Sequence, residues 1–191
     1  MKIKYALTVI LLGLVLVLLV GSAAAKPPVT VNNQVIWELK KAVIVSTGTT
    51  QDTPEGVFIQ GVVVEAMAKT KSGKTIPEGT FRLSFDLFRP NMDMPGQKAG
   101  FWYVVGSWTI SKKDAAPESL KARHSPDIVQ GSIKAELTFN PLESPGNWSA
   151  LASLPMSPAA ERWSRGKGSL SLNAAFTGDL YLDLEVWPEI R

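Results

Sequence analysis

The sequence predicts an all-β domain, an antiparallel β-sandwich of about seven strands preceded by a signal peptide, with a β-barrel as the alternative architecture. Three observations favour this fold class. Apolar residues recur at every second position over most of the chain, the period of a strand with one buried face. Glycine, proline and polar residues punctuate these runs at short intervals. Helical periods do not alternate with them, as they would in a parallel α/β fold.

The amino end carries the pattern of a secretory signal, which leaves residues 26–191 as a single β-sandwich domain. Two lysines precede an apolar run up to Val20, and small residues follow up to the motif Ala23-x-Ala25. That order predicts cleavage after residue 25. An uncleaved N-terminal membrane anchor is the alternative, because the apolar run falls only a little short of the roughly 20 residues that span a bilayer. We therefore expect export to the periplasm, the cell surface or the medium, with no membrane span after cleavage.

Composition excludes several classes of site. Once residues 1–25 are set aside, 18 basic residues stand against 17 acidic ones, so the basic charge needed for nucleic-acid binding is missing. The chain has no cysteine, which rules out disulfides, thiol catalysis and thiolate metal sites. A domain of this length can nevertheless bury a core large enough to be stable without cross-links.

The strands follow from alternation and their boundaries from turn residues. In chain order they are Val35 to Ser46, Val57 to Ala68, Phe81 to Leu87, Phe101 to Ile110, Ile133 to Phe139, Ser169 to Phe176 and Leu180 to Val186. In the fourth strand, Trp102 and Trp108 fall on one face with Gly106, whose missing side chain leaves space for an indole. We expect both tryptophans in the core. The short Thr177-Gly178-Asp179 segment predicts a hairpin between the last two strands.

Helix is predicted to be scarce, with two or three turns over 114–123 and one turn over 158–163. Two segments are predicted to be long loops, 90–100 and 140–167, because both combine proline with small or polar residues. Long ordered loops in compact domains are commonly functional, which makes these two segments places to look for a site.

The 140–167 loop is the first candidate ligand-binding surface. It contains Trp148 and Trp163, and Trp163 is flanked by Arg162 and Arg165. Exposed indoles beside guanidinium groups suit a glycan, an anionic group or a membrane surface. The alternative is that both indoles fold back as plugs over an open end of the sandwich.

The last strand is the second candidate surface. Tyr181, Asp183, Glu185 and Trp187 share the face opposite the leucines, so aromatic rings flank two carboxylates. Such a face can stack on sugar rings and accept their hydroxyl protons. The carboxylates lie about 7 Å apart by strand rise, within the broad range of glycosidase pairs. An ordinary outward face covered by another segment is the alternative.

Catalytic, metal and cofactor sites are not assigned. His124 is the sole histidine and has Ser125 and Asp127 near it, but catalytic triads converge in space rather than along the chain. No Gly-x-Ser-x-Gly motif accompanies it. For Asp93, a turn capping its loop is favoured over a calcium ligand.

These observations predict an exported, non-catalytic binding protein. Its expected partner is a glycan, a cell-envelope component or another protein, contacted through loop and strand aromatics. A structural subunit of an exported assembly is the alternative, since tryptophan and tyrosine are enriched in interfaces. A glycoside-active enzyme using Asp183 and Glu185 is the least favoured of the three.

Overall fold

The chain folds into a closed antiparallel β-barrel of eight strands. The computed structural model describes residues 29–73, 76–113, 127–144, 146–159 and 162–186. The strands are β1 (Val29–Asp52), β2 (Gly56–Ser72), β3 (Glu78–Pro90), β4 (Trp102–Lys112), β5 (Ile128–Leu137), β6 (Trp148–Ala159), β7 (Arg162–Leu172) and β8 (Gly178–Val186). Each strand pairs with the next along the chain, and β8 pairs with β1. The all-β prediction is confirmed, but the barrel replaces the sandwich of about seven strands.

The pairing of β1 with β8 is what distinguishes this barrel from the predicted sandwich. Val35 lies opposite Leu182, Trp37 opposite Leu180, and the pairing continues to Leu39. All of these apolar side chains are buried in the barrel. A sandwich and a barrel both bury one face of every strand, so alternation along the chain is the same in both. Only the contact between the first and last strands separates them.

The predicted 140–167 loop is wrong, because most of it is the β6–β7 hairpin. Trp148, Ala150, Ala152 and Leu154 alternate as buried residues along β6. The predicted helical turn over 158–163 is also wrong, since Pro158 pairs with Trp163 and Ala159 with Arg162 as strand residues. The hairpin between the last two predicted strands is confirmed, because β7 and β8 are antiparallel neighbours.

The described residues contain strands and no helix. No helical segment that could cross a membrane is therefore found among them. The helix predicted over 114–123 lies outside the described residues, as do His124 and the signal region. The predicted 90–100 loop is confirmed between β3 and β4, where Met94 and Gln97 form an isolated β-bridge.

Buried side chains fill the barrel as one continuous cluster. Trp108 is fully buried at its centre, with its ring 6.5 Å from that of Trp37. Gly131 lies directly opposite, and a Cβ there would come within 2.6 Å of the Trp108 ring. The Trp108 ring therefore packs against a position that has no side chain. Trp102 and Trp108 are core residues, as predicted.

A cluster of ion pairs spans the junction where the barrel closes. Lys71 on β2 places its Nζ 2.8 Å from Asp179 Oδ1 on β8 and 3.5 Å from Glu38 Oε1 on β1. The hydrogen bond to Asp179 raises the pKa of Lys71, and a hydrogen bond from Lys40 lowers the pKa of Glu38. Exposed pairs of this kind add little free energy of folding. Through these ion pairs, Lys71 connects β2 with β1 and β8 where the barrel closes.

Candidate functional site

The outward face of β8 has the polar character expected from its alternation. Tyr181 is half-buried and Asp183 exposed, while Leu180 and Leu182 are fully buried on the opposite face. The Tyr181 hydroxyl donates a hydrogen bond to Asp183 Oδ1 at 2.6 Å. The two side chains on this face therefore form one hydrogen-bonded unit.

Neighbouring strands surround this unit with further polar groups. Asp183 pairs with Lys167 on β7 and with Gln34 on β1, and Tyr181 pairs with Ser169 on β7. Lys167 and Gln34 are exposed and Ser169 is half-buried. We call these five residues, Gln34, Lys167, Ser169, Tyr181 and Asp183, the outer strip. It presents an ammonium, an amide, a carboxylate and two hydroxyls on the outside of the barrel.

Hydrogen bonding shifts the pKa of Tyr181. Its bond to Asp183 raises the pKa of the phenol above the usual value, and partial burial acts in the same direction. A hydrogen bond with Gln34 acts in the opposite direction. A phenol is neutral near pH 7 in any case, and this one donates a hydrogen bond that orients the Asp183 carboxylate.

Strand pairing joins the two surfaces that were predicted separately. Arg165 on β7 is the register partner of Glu185 on β8, two residues beyond the pairing of Lys167 with Asp183. Basic positions on one strand thus face acidic positions on the next. Arg162 and Trp163 belong to the start of β7. The side chains of these four residues, and all of Trp187, lie outside the described part, so their ligand contacts stay predictions.

Trp148 lies inside the barrel and contributes nothing to the outer strip. It begins β6, is only 5% exposed, and its ring lies 6.4 Å from those of Phe85 and Phe176. The loop position predicted for Trp148 is wrong, and so is its exposure, whereas the alternative prediction of an indole folded inward agrees with its burial. Its alternation with Ala150 and Ala152 along β6 places it among the inward-facing side chains. The rings of Trp148, Phe85 and Phe176 form a buried aromatic cluster, with Phe176 contributed by the β7–β8 connection.

The loop between β3 and β4 forms a shallow second feature. A concavity of about 460 Å³ is lined by Asp93, Met94, Gly96, Gln97, Lys98, Tyr103 and Glu136. Asp93 Oδ1 accepts the Ala99 amide at 2.9 Å, and Tyr103 accepts the Lys98 amide at 2.6 Å. Both polar groups thus hold the loop in shape. Within the described ranges, no group of three or more His, Cys, Asp and Glu side chains could hold a metal ion.

Sequence reasoning missed Gln34 and Ser169, because their proximity to Tyr181 depends on which strands flank β8. The alternation from Arg165 to Ser171 was the signal that could have predicted this part of β7. Its odd-numbered residues are all polar, as expected for the outward face of a strand. Comparison with protein-family models, curated proteins and solved structures gives no match to this chain.

Proposed function

We propose that this protein is an exported, non-catalytic binding protein that contacts a glycan of the cell envelope through the outer strip. The observation that carries the proposal is the hydrogen-bonded Tyr181–Asp183 pair, flanked by polar side chains from two adjacent strands. The interior is occupied by aromatic and aliphatic side chains, which favours a ligand that binds from outside.

The chemistry of the strip matches that of a sugar. A carboxylate accepts hydrogen bonds from sugar hydroxyls, while the Lys167 ammonium and the Gln34 amide donate to sugar oxygens. The Tyr181 ring adds an apolar surface against which the carbon–hydrogen face of a sugar can pack. Because Asp183 already holds the phenol in place, part of the ordering cost of binding is met before the ligand arrives.

Export remains part of this proposal and is supported by the order of charged, apolar and small residues at the amino end. The nearly balanced charge of residues 26–191 argues against nucleic acid as the partner. Because the chain has no cysteine, its folding in an oxidising compartment does not depend on disulfide formation. The periplasm, the cell surface and the medium all fit these properties.

A protein partner is the second candidate, and a different part of the outer surface favours it. Leu151 is 76% exposed on β6 and Val105 is exposed on β4, and each is the register partner of Lys134 on the strand between them. Apolar side chains beside a lysine stem are typical of protein contacts. In this alternative the barrel is a structural subunit of an exported assembly.

The test is isothermal titration of the purified protein with a panel of defined cell-envelope oligosaccharides. We expect saturable binding to at least one of them, weakened about tenfold or more by Lys167→Gln and by Asp183→Asn, because each change removes a charge-assisted hydrogen bond. Lys134→Gln is the matched control, since it removes another exposed lysine from a different strand of the same barrel. Affinities equal to wild type in both strip variants, or no binding across the panel, would overturn the proposal.

A further inference from the structure

β1 is the longest strand, and its second half has an unpaired edge. The pairing with β8 ends where Leu39 meets Gly178, whereas β1 continues to Asp52 along β2. Among the described residues, no strand pairs with the other side of residues 43–52. The Gly48 amide already donates a hydrogen bond to Ser46 Oγ at 3.1 Å, and the remaining backbone donors and acceptors on that side are available to another strand.

Local backbone geometry directs this half of β1 away from β8. Lys41 has a φ of 54°, and register shifts against β2 fall between Lys40 and Val43 and between Ile44 and Ser46. Such bulges bend a strand and increase its twist. Beyond them the register with β2 does not shift again from Ser46 to Asp52, although Gly48 within this stretch has a positive φ and no register partner among the described residues of β2.

Two glycines with a left-handed backbone conformation, one on β1 and one on β2, shape the β1–β2 hairpin that contains the free edge. Gly48 and Gly61 have φ values of 78° and 77°, a region that residues with side chains rarely adopt. The Gly61 amide donates a hydrogen bond to Asp86 Oδ1 at 2.8 Å, which links the bend in β2 to β3. The edge of β1 is thus held in a defined place by the strands behind it.

The free edge lacks charge and proline, two features that commonly prevent edges from pairing. Residues 42–51 are uncharged, and most of them are the β-branched residues valine, isoleucine and threonine. Val43 is 62% exposed and Val45 54% exposed. Burial of these side chains by another strand would remove apolar surface from water.

The charges that bracket this segment indicate what pairs with it. Lys41 precedes the uncharged residues and Asp52 follows them, and neither has an ion-pair partner among the described residues. In an antiparallel pairing of two identical strands, each end lies beside the opposite end of its partner. Lys41 of one protomer then faces Asp52 of the other at both ends, whereas a parallel pairing would bring like charges together.

We propose that residues Lys41–Asp52 of β1 pair antiparallel with the same residues of a second copy, about a two-fold axis between Ser46 and Thr47, forming a two-fold dimer. The two hairpins then make one continuous sheet between the barrels. The outer strip takes no part in this interface, so dimerisation does not depend on the proposed glycan contact.

Sedimentation velocity and light scattering on the purified protein, over a range of concentrations, test the dimer. We expect a dimer whose dissociation constant rises about tenfold or more in Asp52→Lys, which places two lysines opposite each other. The double variant Lys41→Asp/Asp52→Lys restores the opposite charges and is expected to recover the dimer. Aspartate is suitable at position 41 because it tolerates the positive φ.

Glu143→Lys is the matched control, because it makes the same charge change in an exposed loop away from the edge. It should leave the mass of the dimer unchanged, as should Lys167→Gln in the outer strip. A monomer at every concentration overturns the proposal. A dimer that withstands Asp52→Lys, or that the double variant fails to restore, also overturns it.

Discussion

Replacement of Trp108 by alanine is expected to lower the free energy of unfolding by about 3–5 kcal/mol, because it leaves a large cavity at the centre of a closed interior. Trp108 is fully buried and packs against Trp37 and the space above Gly131. The surrounding strands are joined into a barrel and cannot collapse freely into the gap. Equilibrium unfolding in denaturant measures the loss.

Two further variants make the Trp108 result specific. Leu151→Ala shortens a side chain that is 76% exposed, and surface changes of this kind stay within about 0.5 kcal/mol of wild type. Trp108→Phe should cost far less than alanine, since the ring volume is largely retained and the indole Nε1 has no hydrogen-bond partner to lose. A Trp108→Ala protein as stable as Leu151→Ala would mean that the interior is not packed around this residue.

Gly131→Ala is expected to destabilise the barrel by about 1–3 kcal/mol, although it adds a single methyl group. A Cβ at this position would lie 1.9 Å from the Ser153 carbonyl oxygen and 2.6 Å from the Trp108 ring. Neither neighbour can move without displacing β6 or the centre of the core. Thermal or chemical unfolding of the variant measures the effect.

The neighbouring position supplies the control for Gly131. Gln130 is exposed on the opposite face of β5, so Gln130→Ala should leave stability near that of wild type. Equal stability of Gly131→Ala and Gln130→Ala would contradict the close approach of β5 to β6 and to Trp108. The Gly131 and Trp108 variants together test packing from both sides of one contact.

Alternation identified most strands and the inward face of β4, where Trp102, Val104, Trp108 and Ile110 are all buried. It failed for β6 because two of its buried residues are Ala150 and Ala152, which give a weak apolar signal, and because Pro155 and Pro158 suggest a loop. Interstrand pairing with β5 and β7 keeps this segment extended. A tertiary contact thus overrides the local preference.

The same limit explains the choice between sandwich and barrel. Residues that pair across the closure, such as Val35 and Leu182, are separated by most of the chain. Nothing in the local pattern of either strand specifies the other as its neighbour. Barrel closure depends on strand tilt and stagger accumulated over all eight strands, which no short window of sequence contains.

The candidate site was predicted in part for a related reason. Period two correctly placed Tyr181 and Asp183 on the outward face of the last strand. Their hydrogen bond and their flanking residues Gln34 and Ser169 follow from rotamers and strand register. Trp148 was misplaced for the opposite reason. Its small and polar neighbours in the sequence suggested an exposed position, but it occupies an inward-facing position of β6.

In the function proposed above, a barrel with a packed interior binds a glycan on its outside, across β7, β8 and β1. Two-dimensional NMR of the isotopically labelled protein, titrated with the oligosaccharide that binds best in calorimetry, determines whether the ligand lies there. We predict shifts of the Gln34, Lys167 and Asp183 amides while the methyl groups of Leu180 and Leu182 stay unchanged. Shifts of those interior methyl groups with an unaffected outer strip would contradict the proposal, since they would place the ligand inside the barrel.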